Sequence, residues 1–519
     1  MTALADAPAV SHLTRSGRPI HKNLVLVTVA IAQLMVVLDA TIVNVAIPAI
    51  SDALKVKNAA DLSWVVTGYT LTFGGFLLLG GKLADKLGRR AVFIAGAALF
   101  AVASLVGGLS QDLTTLVAMR TIQGVGGALM SPAALSIITV VFEEGKERNK
   151  ALGIWAAITA GGAALGLILG GVLTEYASWR WVLFVNVPIA VIAIVGALRF
   201  VPESRDERTS GFDIPGAILV TGGLMALVFA LVKGNEYGWG DMRTIRMLAL
   251  ATVLLVAFLQ VQIVSEHPLV PTRLFRSHSV AGADIGALFL GAGVFAMFFF
   301  LILWMQQVNG YSPIKAGVAF LPMTLMIGAA AGISSNLLGK IGPRPLLLVG
   351  PLLAAFGMFQ LGFRLEVDSS YTTVILPALA CVALGMGTTF VALTSSAVAG
   401  VPHEDAGMAS ALLNAGQQVG GALGLAILTA VSATRTEQLF PGHQAAQDQI
   451  QHAQQNGEPL SAELSSVFAK LTHDTVAGWS AGFLLAAALL AMSALVFQLM
   501  VRVSKEDAAA ALKDAMAAG

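Results

Sequence analysis

The sequence is nearly without cysteine and poor in charge. Cys381 is the single cysteine in 519 residues, so no intrachain disulfide, dithiol redox pair or cysteine zinc site can form. Charged residues are 12% of the chain, about half the share of an ordinary soluble domain. A mean hydropathy of +0.79 leaves too little polar surface for a water-exposed fold. Lys and Arg total 31 against 30 Asp and Glu, with no basic block, which argues against nucleic-acid binding. No HExxH and no GxxxxGK[ST] motif is present. The eight histidines (His12, His21, His267, His278, His403, His443, His452 and His473) fall in loops, tails or at the ends of apolar runs. None stands mid-membrane to bind a metal or act as a general base. No metal, no cofactor and no enzymatic centre are expected, and an ATP-driven pump is disfavoured.

What the chain does have is long apolar runs. A membrane helix needs about 20 mostly apolar residues, and that window picks out fourteen: near 24–46, 63–81, 91–109, 114–142, 151–174, 181–201, 214–233, 247–265, 279–306, 316–338, 345–363, 372–400, 406–432 and 477–501. The runs are continuous rather than alternating, which excludes a barrel. The expectation is an all-α integral membrane protein with lipid around it. Arg15, Arg18 and Lys22 stand in a short N-terminal tail without the apolar stretch of a signal peptide. With that tail in the cytoplasm, inner connections carry about twice the Lys and Arg of outer ones, so both termini are expected in the cytoplasm. The one long connection, 433–476, is polar, lies outside and reads as a solvated cap.

Shifted by 254 residues, the chain aligns with itself. Leu83, Lys86, Gly88 and Arg90 fall on Leu337, Lys340, Gly342 and Arg344; Gly153, Gly162, Gly166 and Gly170 fall on Gly407, Gly416, Gly420 and Gly424. The organisation expected is a six-helix bundle (1–202), a two-helix insert (203–266) and a second six-helix bundle (267–519). Two parallel repeats are a transporter architecture with the substrate site between them.

Asp39 is the strongest single signal, since a carboxylate inside a span costs about 2.5–3.5 kcal/mol on insertion scales. It lies ~22 Å along its helix from Leu24, near the outer side, and Arg120 enters its own span from outside to a matching depth. The functional reading is that Asp39 binds a proton or a cationic ligand and Arg120 tunes it; the plainer one is a static ion pair or a snorkelling Arg. Asp284 is a second carboxylate in a span, either a further protonation site or a residue in a watery inner vestibule. Asn44, Gln306, Gln307, Asn336, Asn414, Gln417 and Gln418 are polar groups that could line a substrate cavity, or simply join helices. Gly81, Asp85, Gly88, Arg89 and Arg90, in GGKLADKLGRR, suit a tight inner turn acting as a conformational latch between the halves. Gly162, Gly166, Gly170 and Gly171 form a small-residue stripe for close helix packing or gating. The stretch AMFFFLILWM (296–305) suits an amphipathic or aromatic substrate, or a lipid-facing surface.

Together these residues resemble the major facilitator superfamily, in its fourteen-helix drug/proton antiporter branch, over nearly the whole chain. LDATIVNVAIP (38–48) is similar to the branch's first-helix signature, GKLADKLGRR (81–90) to the superfamily loop signature, and RTIQGVGGA (120–128) to the fourth-helix signature. WRWVLFVNVP (179–188), NGYSPIKAGVAFLP (309–322) and GMASALLNAGQQVGGALGLAI (407–427) are also branch-typical. The resemblance implies a monomeric, multi-pass protein of a bacterial cell membrane that exports small amphipathic drugs in exchange for protons. It places proton transfer on Asp39 and Arg120. One residue departs from the pattern: Gly166 is followed by Leu167 where the branch usually has Pro, so the helix bend and the tight antiport coupling tied to it lose that support. Two rival expectations remain: a same-fold transporter, importing or exporting, of one specific metabolite or ion, and a non-transporting membrane sensor, which the short inner loops leave without an output domain.

Overall fold

The computed structural model describes residues 21–56, 59–143, 146–205, 211–270, 272–399, 401, 403–442, 446, 449–450, 461–503 and 506. The expected N-terminal tail, with Arg15 and Arg18, and most of 443–460 lie outside the described residues. Every element described is helical. The N-terminal half holds α1 (Lys22–Ala53), α2 (Ala59–Leu87), α3 (Arg89–Gly108), α4 (Leu113–Val141), α5 (Lys146–Tyr176), α6 (Trp181–Phe184) and α7 (Asn186–Phe200). An insert follows, α8 (Ile214–Tyr237) and α9 (Met242–Val264). The C-terminal half holds α10 (His278–Leu303), α11 (Pro313–Ala319), α12 (Leu321–Ile341), α13 (Pro343–Arg364), α14 (Leu376–Val398), α15 (His403–Leu439) and α16 (Ala462–Met500).

Thirteen helical stretches among the described residues are long and apolar enough to cross a membrane, and a shorter apolar one, Gly161–Tyr176, belongs to α5. Helix ends follow from local chemistry. Asp112 accepts from the Thr115 amide to start α4, and these bonds hold its carboxyl below the usual range. Ser312 and Ser461 cap α11 and α16 in the same way. The turns at Gly88 (φ 119°) and Gly342 (φ 78°), related by the internal repeat, both need the left-handed backbone that glycine tolerates. The expected outer loop 433–476 is shorter than its polarity suggested: α15 continues to Leu439 and α16 begins at Ala462.

The repeat is also visible in the packing. A Cβ at Gly162 would meet Leu34 of α1, one at Gly166 the Leu38 carbonyl, and one at Gly170 the Ile42 carbonyl. In the C-terminal half Gly416, Gly420 and Gly424 of α15 meet Asp284, Leu288 and Ala292 of α10 in the same four-residue steps. Each half therefore seats one glycine-striped helix on its first helix.

On the α5 side the halves meet at the outer end only, while α2 and α15 stay in contact further inward, with Gly74 against Gln418 and with Leu78 and Leu79 beside Met408, Ala411 and Leu412. Let the inner end be that of the Lys- and Arg-rich turns. At the outer end the largest buried cluster runs from Phe299, Phe300 and Trp304 across to Ile42, Val45 and Leu183. There Gly171 of α5 abuts Ile314 of α11, with 2.6 Å between a built Cβ and the Ile314 Cα. Gln306 donates to the Val45 carbonyl (2.9 Å), and Glu175 accepts from the Ile314 amide (3.1 Å). Toward the inner end, Gly153 and Gly161 of α5 and Gly328, Gly332 and Gly339 of α12 face open space. The molecule is shut outside and, along α5 and α12, parted inside, while the α2–α15 seam stays packed.

The insert lies over the opposite seam. Leu224, Val228 and Val232 of α8 pack with Leu71 of α2 and with Ala422 and Ala426 of α15. Its polar ties go to the N-terminal half: Lys233 pairs with Asp61 of α2 (2.9 Å), and a Cβ at Gly75 of α2 would strike Thr221. Lys82 of α2 donates to the Pro268 carbonyl (2.6 Å), in the connection after α9.

Candidate functional site

Asp39 sits on the face of α1 turned into the N-terminal half, with none of its surface exposed. Its Oδ2 accepts from Arg120 Nη1 at 2.5 Å, and its Oδ1 accepts from Gln123 Nε2 (2.8 Å) and Asn186 Nδ2 (2.7 Å). Three donors on two oxygens suit the ionised carboxylate, which can only accept. Arg120 is held on its other sides as well. Its Nε donates to the Val65 carbonyl (3.0 Å), Nη1 also to Gln123 Oε1 (2.8 Å), and its guanidinium lies 4.4 Å from the Tyr69 ring centre. Ser104 of α3 receives from both Gln123 (3.3 Å) and Asn186 (3.0 Å) and donates to the Leu183 carbonyl.

Five spans thus meet at one carboxylate. Arg120 and Gln123, three residues apart, share a face of α4. The short α6 turns Asn186 inward at the start of α7. A buried pair of this kind survives only because further hydrogen bonds satisfy what each ion leaves over, and here Gln123, Asn186, Ser104 and Val65 do so. Sequence reasoning missed Gln123, Asn186, Ser104 and Tyr69. Two signals were available: Gln123 lies one turn beyond Arg120, and Asn186 is the one amide in WRWVLFVNVP.

The other candidates fall elsewhere. Asp85 accepts from Arg89 (2.8 Å) and Ser136 (3.3 Å); Arg89 and Arg90 bind Ser204, Glu203 and Val201 beyond α7. Gly88 turns against Glu203, and Gly81 lies beside Pro132 of α4. These contacts join α2, α3 and α4 to one another and to the connection that follows α7. Gly162, Gly166 and Gly170 seat α5 on α1, whereas Gly171 faces the other half. α5 is one helix through Leu167.

Gln306 and Gln307 belong to a π-helical turn, Trp304–Val308, at the closed outer end. Gln306 holds the outer seam and Gln307 is exposed. Asn44, Asn414 and Asn336 each bond a carbonyl four residues back on their own helix. Gln417 is half-buried where α15 meets α10, and Gln418 lies beside Gly74 of α2. In the stretch 296–305, Met297, Phe299, Phe300 and Trp304 are closed into the core, where they face neither lipid nor cavity. Asp284 is buried in α10, away from Arg120, and neither of its oxygens has a partner. Among the described residues no cluster of His, Cys, Asp or Glu could hold a metal.

The sequence profile of the Major Facilitator Superfamily matches residues 29–425. The chain belongs to that superfamily. It is 43% identical over 422 residues to the puromycin resistance protein pur8 of Streptomyces alboniger, covering 80% of this chain and 83% of that one. It is 36% identical over 442 residues to the tetracenomycin C resistance and export protein of Streptomyces glaucescens, covering 85% and 81%. The fold is similar to that of a bacterial homologue of the human lysosomal transporter Spinster, in an inward-facing, occupied conformation. There the TM-score is 0.66 at 16% identity, over 94% of this chain and 98% of that one. As a superfamily member the chain is a multi-pass transporter of small molecules, and its cell-membrane location follows from its spans and its bacterial relatives.

Proposed function

We propose that this superfamily member is an exporter of amphipathic, antibiotic-like molecules, driven by proton entry through Asp39. Resistance and export are what the two Streptomyces relatives are named for. Fourteen spans with both termini in the cytoplasm fit the helices described and make the parted end the cytoplasmic one. Cargo then enters from the cytoplasm or the inner leaflet, between the halves. The protein works as a monomer, since one chain supplies both halves. The insert, tied to α2 by the Lys233–Asp61 pair and packed on α15 through apolar side chains, travels with the N-terminal half, while the latch residues Gly81, Asp85, Gly88, Arg89 and Arg90 brace that half's inner end.

The observation that carries the coupling is the Asp39–Arg120 pair. Inward-facing, Asp39 is a carboxylate filled by three donors. In the outward-facing state a proton from outside neutralises it and releases Arg120, which keeps the Val65 carbonyl, Gln123 and the Tyr69 ring as a resting place. Loss of the proton to the inside restores the pair. One charge moving through 100 mV contributes about 2.3 kcal/mol and one pH unit about 1.4 kcal/mol, enough for concentration ratios of roughly tens to hundreds. Asp284 titrates as a second group on the same cycle. The test is flux in proteoliposomes: puromycin or a lipophilic cation should move against its gradient when a pH difference is imposed, and an ionophore that collapses the difference should stop it. Movement that continues unchanged without the difference would sink the proton-driven reading.

A further inference from the structure

The connection from α9 to α10 is fastened down at the inner end. Asp213, the residue before α8, is 4% exposed. Its Oδ1 accepts from the Gly216 amide (2.7 Å), and its Oδ2 accepts from Gln262 Nε2 (2.6 Å) and from the Leu269 amide (3.3 Å). Gln262, buried near the end of α9, turns its Oε1 to the Val270 amide (2.9 Å). From the other side Lys82 of α2 donates to the Pro268 carbonyl (2.6 Å). The His267 ring lies against Gly211, just before α8. Pro268, Leu269 and Val270 thus each have a backbone group held by α2 or the insert. A loop at the membrane surface can satisfy such groups with water. Spending a buried carboxylate and a buried amide on them fixes where the loop lies.

Leu269 is what the fastening positions. It is 2% exposed and shares a buried cluster with Leu78 and Leu79 of α2 and Ala217 of α8. Met408, Ala411 and Leu412, on the inner turns of α15, pack on the same cluster. Beyond Val270 the chain reaches α10 through one short turn, Thr272–Arg276. Residues 265–270 are therefore a strap tied to the N-terminal half and the insert, lying where the C-terminal half rests on them. When the halves rock and the inner end closes, α15 must move across this surface, and the strap cannot follow it. Packed side chains exchange one discrete arrangement for another rather than stretching.

We propose that residues 265–270 are a clasp that holds the inner end open: tied to α2 and the insert, the strap adds Leu269 to the seat of α15, and the molecule gives up that contact when the inner end closes. A contact made in one state and lost in the other biases the molecule toward the first. The clasp acts on import and export alike and involves no proton. Its test needs neither cargo nor gradient, so it and the flux test fail independently.

The test uses the full chain in nanodiscs, in a Cys381→Ser background. The register in which Gly171 faces Ile314 and Gly317 faces Leu167 carries Gly153 opposite Gly332, and both of these face open space. A disulfide between Gly153→Cys and Gly332→Cys can form only when the inner ends approach. Its initial rate under a mild oxidant therefore reports how often they do. Leu269→Ala should raise that rate at least about fivefold. Gln262→Leu leaves Leu269 in place but removes the hold on Val270 and Asp213, and should raise the rate likewise. Gln262→Leu decides the matter even if Leu269→Ala does not fold. A rate at or below that of wild type in either folded variant overturns the proposal. That holds even where the unfolding midpoint falls, because Leu269 would then be packing and nothing more.

Discussion

Asp39 and Arg120, 81 residues apart in sequence, meet at 2.5 Å with side-chain exposures of 0% and 2%. The contact ties the first span to the fourth, and its nearest supports come from three further spans. Such a pair is stable only while both ions are present. Neutralising one is therefore a large local event, as a proton switch requires.

Asp39→Asn should leave Arg120 buried and unpaired, costing about 3–5 kcal/mol. The double variant Asp39→Asn with Arg120→Gln removes both charges and should recover much of that loss. Thermal unfolding in detergent measures the difference. The account expects gradient-driven flux to be lost in both variants, so that stability and coupling separate.

Asn186→Leu removes one of three donors to the carboxylate and leaves Ser104 with one amide partner fewer. The expected cost is about 1.5–3 kcal/mol, that of a hydrogen bond to a charged group. The unfolding midpoint should fall and the rate of gradient-driven flux should drop. A variant as stable and as active as wild type would remove Asn186 from the site.

The outer seam can be locked. In a Cys381→Ser background, Glu175→Cys with Ile314→Cys places one thiol on each side of the seam, where the native carboxylate accepts from the Ile314 amide at 3.1 Å. Oxidation should hold the protein shut outside and stop flux, and reductant should restore it. Flux that survives cross-linking would mean that this seam does not open.

The insert should behave in the opposite way. Gly75→Cys with Thr221→Cys joins α2 to α8 where a built Cβ and the Thr221 Cβ are 3.2 Å apart, close to the Cβ separation of a disulfide. If the insert travels with the N-terminal half, oxidised protein transports nearly as well as reduced protein. A block comparable to that of the outer lock would show the insert moving against α2.

Much of this was legible in the sequence, for definite reasons. Apolar runs of membrane length have few alternatives to helices, and the shared offset of Gly88 and Gly342 gave the repeat. The depths of Asp39 and Arg120 followed from 1.5 Å per residue. What stayed hidden depends on which face a residue takes. Gln306 reads as a cavity residue by type but closes the outer seam, because a π-helical turn rotates the end of α10. Phe299 and Phe300 read equally as lipid- or cargo-facing, and only packing against Trp479 and Phe483 closes them into the core. Asn186 and Ser104 carry no charge to mark them. They matter because α3 and α7 bring them to a carboxylate on α1.

The measurement closest to the central claim compares wild type and Asp39→Asn in proteoliposomes with an imposed pH difference and no membrane potential. The account predicts uphill cargo movement for wild type, and for the variant only the rate seen without a pH difference. Uphill movement of equal extent in both would contradict it, since the proton would then have to cross by another route.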